Sequence, residues 1–138
     1  GGHDLKAPFR QIPPILLELW DSIKPHLPLA VRKMDSPNHV ALKRYKVDGW
    51  CNYAPQRSSD AVGYHCDCEY NDVLYVVGVS LLSDSTLVFR RNGHVKRESI
   101  FRRGIYSMVD EALFDWKHAL FDIRPPGRVS VTYRLVRK

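Results

Sequence analysis

The chain has 138 residues, 44% of them hydrophobic and 26% charged, with a formal net charge of +6 at neutral pH. A chain of this length forms one domain that buries roughly two-thirds of the surface exposed when unfolded, and no apolar run approaches the roughly 18 residues of a membrane span. Three cysteines, an odd number, argue against a disulfide framework and for a reducing, intracellular, cytoplasmic setting, and the positive charge favours a polyanionic partner such as nucleic acid.

Residues 1–11 read as an irregular segment in which Gly1-Gly2-His3 is a tag remnant, with no signal peptide evident. Residues 12–138 read as the single domain. Ile12, Ile15, Leu16, Leu19, Trp20 and Ile23 recur at helical spacing, so a helix begins at Pro13-Pro14 and stops at Pro25. Glu18, Asp21 and Lys24 take its wet face. Leu27 to Pro37 is punctuated by proline and reads as loop.

From His39 the pattern turns to strand. His39 to Val47 and Trp50 to Ala54 flank an Asp48-Gly49 hairpin turn, and a polar loop from Pro55 to Asp60 leads to a strand around His65. Val73 to Leu82 is almost continuously apolar, as in a strand buried on both faces. Thr86 to Arg90 is a further strand before a second hairpin turn at Asn92-Gly93. Ser99 to Phe101, Ile105 to Val109, Lys117 to Phe121 and Arg128 to Leu135 complete the series. One leading α-helix followed by many short strands predicts a mainly β fold with a double-stranded β-helix, or jelly-roll, core.

Three stretches carry chemistry. In Tyr64-His65-Cys66-Asp67-Cys68-Glu69, alternation along a strand puts His65, Asp67 and Glu69 on one side and the two thiols on the other. An imidazole beside a carboxylate is two-thirds of the 2-His-1-carboxylate set that holds non-haem Fe(II). A zinc site built on Cys66 and Cys68 is disfavoured, because the thiols point away from His65 and Asp67 and no second cysteine pair exists. His118 lies on a later strand that a jelly roll can fold over the first. In Arg128-Val129-Ser130-Val131-Thr132-Tyr133-Arg134, the residues Arg128, Ser130, Thr132 and Arg134 share a face, where a guanidinium fork beside a hydroxyl suits a carboxylate. Tyr53, with Tyr45 as the competing choice, could add a phenol to the same carboxylate.

The order "DAVGYHCDCE", then "DWKHAL", then "RVSVTYR" resembles the AlkB family of Fe(II)/2-oxoglutarate-dependent dioxygenases, from about Pro13 to Lys138. "PPILLELWDSI" is similar to the helix preceding that family's core. The resemblance implies that His65, Asp67 and His118 ligate iron. It implies that Arg128, supported by Tyr53 and Ser130, binds the distal carboxylate of 2-oxoglutarate. Arg134 would lie near the cosubstrate or the substrate pocket, and Glu69 beside a flipped methylated base. A buried carboxylate prefers the cationic 1-methyladenine or 3-methylcytosine to the neutral bases.

The sequence departs from the family pattern at Cys51, where an asparagine is frequent two positions before the tyrosine, and in a slightly long loop from Pro55 to Asp60. The segment before the core is short, which implies a reduced lid and a single-stranded substrate. Similar compact domains occur within polyproteins of plant RNA viruses, for which the setting would be the host cytoplasm.

The expected activity is oxidative demethylation of N-alkylated bases in single-stranded RNA or DNA, using Fe(II), 2-oxoglutarate and O2, with no membrane and no obligate protein partner. The rival readings are a hydroxylase of the same chemistry acting on a protein or small molecule, and a nucleic-acid-binding module whose metal site has decayed. The basic groups Lys43/Arg44/Lys46, Arg90/Arg91, Lys96/Arg97 and Arg102/Arg103 suggest a phosphate-binding rim only in sum.

Overall fold

A computed structural model of the protein describes residues 5–6, 11–46, 72–124 and 127–137. Among them the elements run β1 (Leu5–Lys6), α1 (Pro14–Ile23), a 3-10 turn (Lys24–His26), α2 (Leu29–Arg32), β2 (His39–Lys46), β3 (Val73–Leu81), β4 (Ser85–Arg91), β5 (His94–Ile100), β6 (Ile105–Met108), α3 (Asp110–Phe114), β7 (Lys117–Phe121) and β8 (Gly127–Val136). The strands form a larger sheet in the order β1-β2-β8-β3-β6 and a smaller one in the order β5-β4-β7, with every pair antiparallel. The fold is mainly β, with a leading helix and a jelly-roll-like core. No described helix is long and apolar enough to cross a membrane.

Period-two alternation in β8 organises both layers of packing. Its Val131, Tyr133 and Leu135 join Val40 of β2 and Tyr75, Val77 and Val79 of β3 in one apolar cluster, which α1 covers with Trp20 and Ile23. Trp20 stacks parallel to the Tyr75 ring at 5.9 Å and tilts against Tyr133 at 5.2 Å. The two phenols secure the N-terminal segment. The Tyr133 hydroxyl donates to the Leu16 carbonyl at 2.5 Å and the Tyr75 hydroxyl to the Asp35 carbonyl at 2.8 Å. Asn38 acts as an extra rung, donating to the Val136 carbonyl (2.7 Å) and accepting from the Val136 N–H (2.9 Å).

Both phenols are fully buried. Burial pushes Tyr133 up to about 12, and burial together with the Asp35 charge pushes Tyr75 up from its ordinary value. Each group therefore holds its proton more tightly when folded, so its contribution is complete below about pH 10 and is lost as pH rises through the folded value. The melting temperature should fall steeply from about pH 10 upward, as read by circular dichroism between pH 8 and 12. Tyr133→Phe should flatten that fall, while costing about 1 kcal/mol at neutral pH for the lost hydrogen bond.

The structure departs from the sequence expectations in five places. Ile15 belongs to the apolar stripe by spacing, yet it is 67% exposed, because α1 meets the sheet along the flank bearing Leu16, Leu19, Trp20 and Ile23. The expected loop from Leu27 to Pro37 contains α2, whose Val31 is buried and whose first turn caps on the Pro28 carbonyl. The strand expected at Ser99 to Phe101 is β5, running from His94 to Ile100, and Phe101 lies beyond it, 66% exposed. Helix α3 was not expected at all. Residues 5 and 6, in the segment read as irregular, pair with Leu42 and Ala41. The Asn92-Gly93 hairpin is as expected, with φ of 47° and 82°, the left-handed pair that a two-residue turn between twisted strands requires.

The two sheets face each other. Tyr106 of β6 lies over Gly78 of β3, on the face opposite α1, where a Cβ would overlap its ring. The same Tyr106 packs on Leu87 and Leu120 of the smaller sheet, with Ile100 and Ile123. The crossovers between sheets are tied together at one corner, where the Ser83 hydroxyl donates to the Gly127 carbonyl and the Arg124 N–H to the Asp84 carbonyl at 3.2 Å.

Candidate active site

While one face of β8 builds the core under α1, the other turns Arg128, Ser130, Thr132 and Arg134 toward the smaller sheet. This face is buried but polar. Arg128 is 1% exposed, the largest fully buried side chain among the described residues, and Ser130 and Ser80 are also buried. Arg128 Nε donates to Ser80 Oγ at 3.1 Å. Pairing extends the polar face in rows across three strands: Lys43 of β2 opposite Ser130 and Ser130 opposite Ser80, then Ala41 opposite Thr132 and Thr132 opposite Gly78, then His39 opposite Arg134. Strands β2, β3 and β8 contain no Asp or Glu, yet they set Lys43, Arg128 and Arg134 on this one side. A guanidinium buried among hydroxyls on strands that lack carboxylates is suited to an anionic ligand.

The facing sheet contributes His118. It is opposite Phe89 in the β4–β7 register, as Leu120 is opposite Leu87, and directly paired residues share a face. Leu87 and Leu120 belong to the interior cluster under Tyr106, so His118 also points inward. It is 8% exposed, and its ring tilts against Phe89 at 6.0 Å. Beyond this row the interior face becomes charged. Arg91 donates to Glu111 Oε1 at 3.0 Å and approaches Asp115 at 3.9 Å, the Trp116 indole donates to the same Glu111 oxygen at 3.4 Å, and Lys96 Nζ sits 5.2 Å from the Trp116 ring centroid. These exposed and half-buried groups form the outer edge, or mouth, of the inner face of the smaller sheet at its His118 end.

Of the residues singled out in the sequence, the structure describes His118, Arg128, Ser130 and Arg134, all on interior faces. His65, Asp67, Glu69 and Tyr53 lie outside the described residues, as do Cys66 and Cys68, the Asp48-Gly49 turn and the strand from Trp50 to Ala54. Among the described residues no group of three or more His, Cys, Asp or Glu is gathered for a metal. Tyr45, the competing tyrosine, occupies the β2 register position opposite Arg128. Ser80, Lys43 and His39 were not anticipated as neighbours of the site. The signal for Ser80 was present, since it is the lone serine or threonine within the apolar run from Val73 to Leu82.

No family model matches this sequence, and no curated protein matches it. Among solved structures, one described as "The structure of OsALKBH1" is similar over 91% of this chain, with a TM-score of 0.60 and 16% sequence identity. The chain spans 65% of that neighbour's length. At this identity the likeness is one of fold, and the fold is AlkB-like.

Proposed function

We propose that this AlkB-like domain, spanning residues 12–138, is an Fe(II)- and 2-oxoglutarate-dependent dioxygenase that removes methyl groups from N-alkylated bases in single-stranded nucleic acid. The observation that carries the reading is the fully buried Arg128 on a polar interior face, opposite a sheet that turns His118 inward. A dicarboxylate fits such a face. The Arg128 fork takes its distal carboxylate, while Ser130 and Ser80 supply hydroxyl groups and exclude bulk water. Lys43 and Arg134 keep the surrounding field positive.

His118 has the chemistry and the buried, inward position expected of a metal ligand, and with His65 and Asp67 it would complete the donor set preferred by non-haem Fe(II). When bound, iron with 2-oxoglutarate and O2 supplies the oxidation of the N-methyl carbon, with 2-oxoglutarate going to succinate and carbon dioxide and the hydroxymethylated base releasing formaldehyde. The chain's own share is to orient the cosubstrate through Arg128, to keep the interior dry with Phe89, Leu87 and Tyr106, and to hold the base, for which Glu69 is the proposed carboxylate.

Purified protein given Fe(II), 2-oxoglutarate and a 1-methyladenine or 3-methylcytosine oligonucleotide should yield the unmethylated base by mass spectrometry. His118→Ala and His65→Ala should each lower turnover at least about 100-fold. Wild-type turnover no greater than that of His65→Ala, on every methylated oligonucleotide tried, would sink the proposal. Turnover of 2-oxoglutarate without any nucleic-acid affinity would redirect it to a protein or small-molecule hydroxylase.

A further inference from the structure

We infer that Trp116 and Lys96 form a stacking and phosphate subsite for single-stranded nucleic acid at the mouth beside His118, an inference that rests on the nucleic-acid reading above. Strand register fixes the arrangement. Lys96 of β5 and His118 of β7 are both opposite Phe89 of β4, so Lys96, Phe89 and His118 make one row on one face of the smaller sheet. Trp116 precedes His118 by two positions, on the side of the row away from the apolar interior formed by Leu87, Leu120 and Ile100. A strand that entered here would meet Trp116 and Lys96 immediately before the interior.

The groups at this mouth are dispositioned for that role. Glu111 is engaged by Arg91 and by the Trp116 indole N–H, and Asp115 also faces Arg91, so these two carboxylates are covered by a cation, while Glu98 lies one row further from Trp116, opposite Leu87. The indole N–H bond fixes the plane of the Trp116 ring. Lys96, by contrast, is exposed, makes no ion pair among the described residues, and rests its ammonium over the Trp116 ring. An exposed cation–π pair of this kind is weak, because water competes for the ammonium. A nucleobase therefore displaces Lys96 from the ring at small cost, and the freed long side chain, based two strands away in the order β5-β4-β7, remains within reach of the backbone phosphate of a stacked base. Stacking on an indole face tolerates every base, and one phosphate contact adds affinity without sequence preference. The subsite therefore binds the nucleotide flanking the target base, not the target itself.

The test is a binding titration, independent of turnover. Tryptophan emission and the anisotropy of a labelled, unmethylated oligothymidylate are followed in titrations of wild type, Trp116→Phe, Trp116→Ala and Lys96→Ala at several salt concentrations, with polyglutamate as the competing polyanion. Wild-type emission should be quenched, Trp116→Phe should lose most of that quench, and its replacement by alanine should weaken affinity roughly ten-fold or more. Lys96→Ala should lower the slope of log affinity against log salt by about one. Unchanged affinity in Trp116→Ala, an unchanged salt slope in Lys96→Ala, or equal binding of polyglutamate overturns the subsite. Demethylation that persists with Trp116-independent binding refutes this inference alone, whereas Trp116-dependent binding without demethylation refutes the proposed reaction alone.

Discussion

If the proposed reaction holds, Arg128→Met should raise the KM for 2-oxoglutarate roughly 100-fold or more. The size follows from burial: truncating one member of a desolvated charge pair costs about 2–5 kcal/mol, because water cannot substitute for the lost partner. Arg128 is 1% exposed and its Nε already donates to Ser80, so the fork is held in place before ligand arrives. Methionine keeps a side chain of similar length, and circular dichroism and the denaturation midpoint report on folding independently of cosubstrate use. Arg128→Lys should fall between, because an ammonium keeps the charge but cannot match two carboxylate oxygens from one plane. The informative measurement is succinate production as a function of 2-oxoglutarate concentration. A purely structural arginine would shift the denaturation midpoint and leave KM unchanged, and that outcome would remove Arg128 from the site.

The largest effect on stability is expected at Trp20. Its ring is 3% exposed and lies between Tyr75 and Tyr133, so it joins α1 to the two central strands at once. Trp20→Ala should cost about 3–5 kcal/mol through lost contacts and the cavity left behind, a large part of the 5–15 kcal/mol typical of a whole domain. A urea midpoint gives the value directly. Ile15→Ala, on the same helix but exposed, should change it by less than about 0.5 kcal/mol. Because Tyr133 shares β8 with Arg128 and Ser130, Trp20→Ala should also weaken 2-oxoglutarate binding, whereas Ile15→Ala should not. Equal effects of the two substitutions would mean that α1 does not brace the strand.

The sequence by itself determined the pieces whose signal is local. A 3.6-residue stripe ended by Pro25 specified α1, a continuous apolar run specified β3, and Asn92-Gly93 specified a hairpin because both positions tolerate positive φ. Alternation along β8 separated Arg128, Ser130, Thr132 and Arg134 from Val131, Tyr133 and Leu135, since a two-residue period needs no partner strand to be read. Helices α2 and α3 escaped because four or five residues are too few to display a helical period, and all of β5 before Ser99 escaped because a strand exposed on both faces has no apolar alternation.

What only the tertiary structure decided is which of the two β8 faces is core and which is polar interior, and what stands beside the candidate groups. That choice depends on α1 docking over Tyr75 and Tyr133, which leaves the opposite face to the second sheet. The Ser80 partner of Arg128 is 48 positions away in sequence, and the Lys96–Phe89–His118 row joins three strands through registers that no single segment encodes. Backbone hydrogen bonding sets such registers once strands meet, so chemistry assembled across strands becomes visible only after the chain has paired.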